Sequence, residues 1–336
     1  MMYKAKNILV TGAAGFIGSH FVKMMLSQYD DIKIISYDKL TYAGNLANLS
    51  SVKSIENHVF VQGDIIDEKC IYNILREHQI DTIVHFAAES HVDNSIDGPK
   101  IFFQSNVMGT FNLLQQAKAY WLDEKKWTDS KCRFHHISTD EVYGSLSKDA
   151  EAFTEKTAYQ PNSPYSASKA GSDHIVRSYF HTYRLPVTTS NCSNNYGSYQ
   201  HQEKLIPVVI NSCIKQLPIP VYGDGSNIRD WLYVKDHCKA IDCIIQKGKL
   251  GEVYNIGGNN EISNIALVKM ICRLMDQYRS EHQPHERLIS FVDDRKGHDW
   301  RYAINYSKLY NELGWSPSED FETMFKETIE FYLERV

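Results

Sequence analysis

Two short stretches of this chain carry residues that can move protons. Ser138 to Gly144 reads STDEVYG, a hydroxyl and two adjacent carboxyls placed where a buried apolar strand, Arg133 to Ile137, runs out. Tyr165 to Lys169 reads YSASK, a phenol and an ammonium four residues apart. On a helix that spacing puts both groups on one face, where the ammonium favours the phenolate and lowers a pKa that is otherwise about 10. A phenol tuned in this way accepts a proton from an alcohol that is being oxidised. Each stretch also has a plainer reading, since Tyr-x-x-x-Lys arises by chance and a Ser-Thr-Asp-Glu run caps helices.

Both stretches lie downstream of a dinucleotide-binding start. Lys6 to Val10 is a short apolar strand that leads into TGAAGFIG, Thr11 to Gly18. Glycines at 12, 15 and 18 let the backbone turn tightly and approach a pyrophosphate, and the following helix aims its first amides at that charge. A second strand, Ile32 to Tyr37, ends in Asp38, twenty residues past Gly18. An acid there accepts hydrogen bonds from an adenosine ribose and repels a 2'-phosphate, which favours NAD over NADP. His58 to Val61 ends in Gly63 and Asp64, a second strand-end acid suited to the adenine side. Thr82 to Ala88 reads as a fourth strand opening into Glu89, Ser90, His91 and Asp93.

Helical patterns at Asp67 to His78 and Pro99 to Trp121 alternate with these strands, as in a parallel sheet covered on both faces. Ligands of such sheets sit beyond the carboxyl ends of the strands, where Gly12, Asp38, Asp64, Ala87 and Thr139 all fall. Val187 to Cys192 reads as a further strand. Beyond it Pro218, Pro220, Gly223, Gly225, Gly251, Gly257 and Gly258 break the chain into short pieces, with one good helix at Asn264 to Tyr278. The fold class expected is α/β, a Rossmann-type doubly wound parallel sheet with a smaller, mixed α/β substrate-binding lobe. The division expected is 1–190 for the NAD-binding domain with the catalytic residues and 191–336 for the second lobe, with some segments interleaved.

Composition narrows the partners. A net charge of −5 and a pI near 6.3 leave no broad basic surface, which argues against nucleic acid. The first ten residues run straight into a strand, and no apolar run approaches the roughly 18 residues of a membrane span, so a cytoplasmic protein with no membrane partner is expected. Seven scattered cysteines without a Cys-x-x-Cys pair read as reduced thiols. His135 and His136 face opposite ways in a strand and match no metal spacing, so no metal is expected. The charged run Asp123 to Lys131 reads as a solvated loop.

With the glycine loop, Asp38, STDEVYG and YSASK at these spacings, the chain resembles the extended short-chain dehydrogenase/reductases that act on nucleotide sugars. More closely it resembles the dTDP-glucose 4,6-dehydratases as a family. The resemblance runs through AAESHVD at Ala87 to Asp93, SNNYG at Ser193 to Gly197, EKLIP at Glu203 to Pro207, IRDWLYV at Ile228 to Val234 and GEVYNIGG at Gly251 to Gly258. It implies a hydro-lyase that uses NAD as a retained catalyst. Tyr165 takes the C4 hydroxyl proton, Thr139 orients that hydroxyl and Lys169 holds the nicotinamide ribose. Glu141 removes the C5 proton while protonated Asp140 gives one to the departing C6 hydroxyl. A nucleotide-hexose thereby becomes a 4-keto-6-deoxy sugar.

The same resemblance implies cofactor contacts at Gly12, Gly15, Phe16, Ile17, Gly18, Asp38, Lys39, Leu40, Thr41, Asp64, Ile65, Ala87, Ala88, Ser90, Ser105, Tyr165, Lys169 and Asn195. It implies substrate contacts at Ser90, Thr139, Asn194, Lys204, Leu205, Pro220, Tyr222, Arg229, Asn264, Arg295 and His298. Tyr222 would stack on the base, and His298 and Tyr302 would reach the nucleoside end. For Arg229 an ion pair with Asp230 or Asp236 is the structural alternative. The helices at Pro99 to Trp121 and Ser163 to Tyr183 pair between subunits in this family, which implies a homodimer. Ser198, His201, Gln202, Lys296 and Trp300 depart from the family pattern on the substrate side. They leave UDP-glucose or UDP-N-acetylglucosamine as alternatives to dTDP-glucose, with a 4-epimerase or a decarboxylase as the sister activities.

Overall fold

The structure is a computed structural model and describes residues 2–335. Its strands are β1 (Asn7–Thr11), β2 (Lys33–Asp38), β3 (His58–Gln62), β4 (Thr82–His85), β5 (Arg133–Thr139), β6 (Val187–Cys192), β7 (Asn194–Tyr196), β8 (Ile219–Tyr222), β9 (Ile228–Tyr233), β10 (Val253–Ile256), β11 (Glu261–Ser263) and β12 (Ile289–Val292). Seven of them form one sheet in the order β10-β6-β5-β4-β1-β2-β3, with every pairing parallel. The near-continuous burial of β1, β2, β4, β5 and β6 is what a parallel sheet requires, because crossover helices cover both faces.

The helices of the first half are α1 (Phe16–Gln28), α2 (Glu68–Glu77), α3 (Val92–Asp97), α4 (Pro99–Phe102), α5 (Thr110–Ala117) and α6 (Pro164–Tyr183). Alternate side chains of the sheet sort into two cores. Leu9, Ile35, Ile83 and Phe134 pack with Ile71, Leu113, Trp121 and Val176 on one face, whereas Ile8, Val10, Ile34 and Val84 join Phe21 and Ile241 in the core of the other. The doubly wound expectation holds. Two stretches of π-helical turn, Phe103–Gly109 and Lys118–Glu124, flank α5 and join it to α4 as one long rod.

Two expectations change. β4 stops at His85 rather than Ala88, because Phe86 onward leaves the sheet to cross its rim. The second half is more helical than its glycines and prolines suggested. Besides α9 (Asn264–Tyr278) it contains α7 (Leu205–Lys215), α8 (Val234–Lys247), α10 (Ser307–Leu313) and α11 (Phe321–Leu333). The breakers stand between these helices, and Pro207 sits in the first turn of α7, where its missing N–H costs no helical bond. β10 returns to the main sheet beside β6, and α8 packs on the same face as α1. The remaining strands make two small sheets, β11-β9-β7 and β12-β8, on the far side of the rim. All seven cysteines are free.

Candidate active site

A cleft of about 700 Å³ opens at the carboxyl ends of the central strands, and Gly12, Asp38, Asp64, Ala87 and Thr139 all line it. Gly12 has φ of +67°, and a Cβ there would stand 2.7 Å from the Ala87 amide nitrogen, so only glycine fits. Gly15 caps α1 without a side-chain acceptor, which leaves the first-turn amides for an anion. The Asp38 carboxylate is buried at the end of β2, where it accepts from Ala14 N at 2.9 Å and Leu40 N at 2.8 Å. Burial raises its pKa, and these two amides pull it back. Lys39 Nζ lies 2.6 Å from Asp64 Oδ2. A glycine cradle, bare helix-start amides and two strand-end acids fit a dinucleotide.

Phe16, Ile17, Gly18, Thr41, Ile65, Ala88, Ser90, Ser105 and Asn195 also line the cleft. Leu40 does not. Its backbone takes a left-handed turn, its amide holds Asp38, and its side chain packs on the core. The loop after β4 is set by Asn106, which the π-helical turn before α5 presents from the neighbouring rod. Its Oδ1 accepts from Glu89 N at 2.8 Å, and its Nδ2 donates to Glu89 O at 3.0 Å and Ser168 Oγ at 2.8 Å. One buried amide thereby ties the loop from Ala87 to Ser90 to the helix that carries Tyr165.

At the end of β5 the backbone bends into a 3₁₀ turn, Asp140–Tyr143, with Thr139 as its cap; Glu141 N donates to Thr139 Oγ1 at 3.3 Å. Gly144 closes the turn at φ of +91°, and a Cβ there would meet the Gln160 carbonyl oxygen at 2.5 Å. The bend sends Glu141 into the cleft and leaves Asp140 one side chain behind it, 1% exposed and not part of the lining. Burial, Glu141 and Asp230 push the Asp140 carboxyl well above the ordinary carboxylate range. Burial also raises Glu141, but Arg295, Arg229 and Lys204 act against it. Two adjacent acids are thus driven apart, Asp140 toward the protonated form.

Helix α6 presents Tyr165 and Lys169 near its start. Pro164 opens it and Ser163 caps it in a box, Ser163 Oγ accepting from Ser166 N at 3.0 Å and Ser166 Oγ from Ser163 N at 3.1 Å. Both side chains line the cleft, but their electrostatics differ from expectation. Burial holds the Tyr165 phenol well above 10, with Glu141 and Asp140 pushing the same way and only the Thr139 hydroxyl opposing. Lys169 does not offset this, because its Nζ donates to the Ile137 carbonyl at 2.7 Å and burial lowers its own pKa.

The substrate-side candidates Asn194, Lys204, Leu205, Pro220, Tyr222, Arg229, Asn264, Arg295 and His298 all line the same cleft. Arg229 makes no ion pair with Asp230 or Asp236 among the described residues. It donates instead to the carbonyls of Ile228 at 2.7 Å, Asp299 at 2.9 Å and Trp300 at 3.4 Å, and lies 4.3 Å from the Tyr302 ring centre. Tyr302 is buried and donates to Asp299 Oδ2 at 2.6 Å. Tyr222 donates to Asp93 Oδ2 at 3.2 Å, Arg295 sits 3.6 Å from Asp93 Oδ1, and Lys204 donates to the Ser90 carbonyl at 3.1 Å. His298 is held by Asp294 at 2.6 Å.

Sequence reasoning missed Glu89, His91, Asp93, Cys192, Ser193 and Glu203 as lining residues. Four of these lie inside AAESHVD and EKLIP, whose runs were the available signal. No cluster of His, Cys, Asp and Glu suited to a metal occurs among the described residues. His135 and His136 are buried on Thr188, Ser190, Ser172 and Asp173, and burial keeps both neutral.

The profile of the GDP-mannose 4,6 dehydratase family matches residues 9–328, and the chain belongs to that family. It is 53% identical over 327 residues to a dTDP-glucose 4,6-dehydratase of Xanthomonas campestris, covering 97% of this chain and 92% of that protein. A Bacillus anthracis dTDP-glucose 4,6-dehydratase, crystallised in complex with NAD, superposes with a TM-score of 0.87 at 46% identity, covering 98% of this chain and 97% of that one. A Streptomyces venezuelae dTDP-glucose 4,6-dehydratase with NAD bound gives 0.88 at 44% identity, with coverage of 98% and 97%.

Proposed function

We propose that this chain is an NAD-dependent dTDP-glucose 4,6-dehydratase, a hydro-lyase that converts a nucleotide-hexose to its 4-keto-6-deoxy form. The observation that carries the reading is the unequal pair Asp140 and Glu141 beside Tyr165, in a cleft that begins with a dinucleotide cradle. A 4-epimerase or decarboxylase has no need of a protonated acid and a cation-flanked base side by side. Near-full-length similarity to several dTDP-glucose 4,6-dehydratases favours dTDP-glucose over the UDP-sugars.

The glycine loop, Asp38 and Lys169 would hold NAD, which would supply the hydride acceptor. Tyr165 accepts the C4 hydroxyl proton while Thr139 orients that hydroxyl. Glu141 takes the C5 proton, which C4 oxidation acidifies, and Asp140 delivers its proton to the leaving C6 hydroxyl. Lys204, Arg229 and Arg295 converge on Glu141, and their charge suits the sugar diphosphate. Their electrostatic pull also keeps Glu141 the stronger acid of the pair.

The finer expectations extend the same reading. The cofactor half is residues 1–190 with β10 and α8 returned to it, and the rest of 191–336 forms the sugar-nucleotide lobe. Two copies pair through the rod from Pro99 to Glu124 and through α6, where Ile101, Phe103, Met108, Phe111 and Tyr183 stand exposed. No helix among the described residues is long and apolar enough to cross a membrane.

The test is to supply dTDP-glucose, UDP-glucose and UDP-N-acetylglucosamine separately, with NAD, and follow product mass. Loss of one water, about 18 Da, with dTDP-glucose and a far slower reaction with the UDP-sugars is the expected result. An isomer of unchanged mass would show an epimerase instead.

A further inference from the structure

Dehydration by these residues leaves one proton out of place at the end of each turnover. The hydride that leaves C4 returns to C6, and the C5 proton goes to Glu141 and back. The other two protons do not cancel locally. Tyr165 has gained the C4 hydroxyl proton, and Asp140 has lost the proton that left in water. The reaction balances, yet the site has not returned to its starting state. A second sugar cannot be processed until the phenol has lost one proton and the carboxylate has regained one.

Asp140 is badly placed to be refilled from solvent. Its side chain is 1% exposed and stands behind the cleft wall. Asp230, which acts on Asp140 from that side, has its two carboxylate oxygens engaged by Gly258 N and Asn260 N. Asp140 Oδ2 has no partner among the described residues. The hydrogen bond to its other oxygen comes from Thr139 Oγ1, 3.4 Å from Oδ1. The same hydroxyl weakens the hold of the Tyr165 phenol on its proton, and the two side chains line the cleft together. A threonine hydroxyl has one proton to give and lone pairs to accept another, so it can do both at once.

We propose that Thr139 relays a proton from Tyr165 to Asp140 and so resets the site after each turnover. The Tyr165 Oη–H bond breaks as an O–H forms on Thr139 Oγ1, and the proton first held by Thr139 passes to Asp140 Oδ1. Tyr165 loses one O–H, Asp140 gains one, and no solvent proton is consumed. The task is additional to orienting the C4 hydroxyl, and it rests on the 4,6-dehydratase reading. Burial and Glu141 raise the phenol and the carboxyl together, and Asp230 adds to the hold of Asp140 on a proton.

The experiment compares Thr139→Val, which removes the hydroxyl at constant shape, with Thr139→Ser, which keeps it. Each holoenzyme is mixed with dTDP-glucose, first with enzyme in excess and then with substrate in excess, and product is measured by rapid quench. In Thr139→Val one equivalent of product per site should form, followed by steady turnover about 10-fold or more slower than its own first turnover. In Thr139→Ser the two rates should stay within about 3-fold of each other. Equal slowing of both phases in Thr139→Val would mean that the hydroxyl only orients substrate, and the relay would be wrong. Should Thr139→Val not fold, Thr139→Ala serves: added formic acid should speed its slow phase in proportion to concentration, and no response overturns the relay. If wild-type enzyme makes no 4-keto-6-deoxy product, the dehydratase reading itself fails, a result distinct from a missing burst.

Discussion

Asp140 and Glu141 are neighbours in sequence with opposite surroundings, and that difference is what lets two carboxyls act as acid and base in one site. Glu141→Gln keeps shape and removes the base, so C4 oxidation should proceed and elimination stall. Turnover should fall by roughly 100-fold or more, with reduced cofactor absorbance building up; undiminished turnover would reject the role. Since burial raises the Glu141 pKa, its ionised form is lost at a higher pH than for an ordinary glutamate near 4.3. The acid limb of kcat/KM should accordingly lie above that value. Asp173 makes a separate prediction. It is buried against His136 at 3.0 Å and Ser138 at 2.8 Å, and burial pushes its pKa from 3.8 to about 6. The folded state holds that proton more tightly than the unfolded chain, so the associated stability is whole below 3.8 and is lost as pH rises through about 6. The loss amounts to about 3 kcal/mol. Asp173→Asn should flatten the fall in melting temperature between about pH 4 and pH 7 relative to wild type, and an unchanged slope would count against the assignment.

Helix α6 is the element on which the site depends most, because Tyr165 and Lys169 fall within two turns of its start. Ser163→Ala breaks the capping box and should cost about 1 kcal/mol, or roughly 1 to 2 °C in melting temperature. It should also lower kcat, since fraying there moves the phenol; full activity at reduced stability would separate the cap from the site. Elements of this kind were legible in the chain. The spacing of Tyr165 to Lys169 and apolar runs ending in Gly12, Asp38, Asp64 and Thr139 are local signals, and the rim they form is where the structure places the cleft. What local pattern does not encode is pairing at long range. Nothing in Val253 to Ile256 marks it as the edge strand beside β6, and α7 and α8 were hidden by the glycines and prolines around them. The π-helical turn that aims Asn106 at Glu89 has no sequence signature. Nor could spacing tell that Lys169 would spend its ammonium on the Ile137 carbonyl, since that choice depends on where β5 runs beneath α6.

At the scale of the molecule, the two halves meet across the cleft through polar contacts that belong to the site itself. Asp93 and Ser90 lie in the loop and short helix after β4; Asp93 engages both Tyr222 and Arg295, and Ser90 engages Lys204. A substrate diphosphate would compete for these cations, so closing the halves and binding the substrate draw on the same side chains. Along the rod from Pro99 to Glu124, the large apolar side chains Ile101, Phe103, Met108 and Phe111 are 42%, 44%, 54% and 38% exposed. A patch of this kind costs free energy in water unless a second surface covers it. In a homodimer the same face of a second copy would do so. Because these side chains lie outside the two cores, changing them should spare the fold. Phe103→Glu with Met108→Glu should leave the melting temperature within about 3 °C of wild type while sedimentation velocity shifts from dimer to monomer. An unchanged sedimentation coefficient, with wild type itself a dimer, would place the subunit contact elsewhere on the molecule.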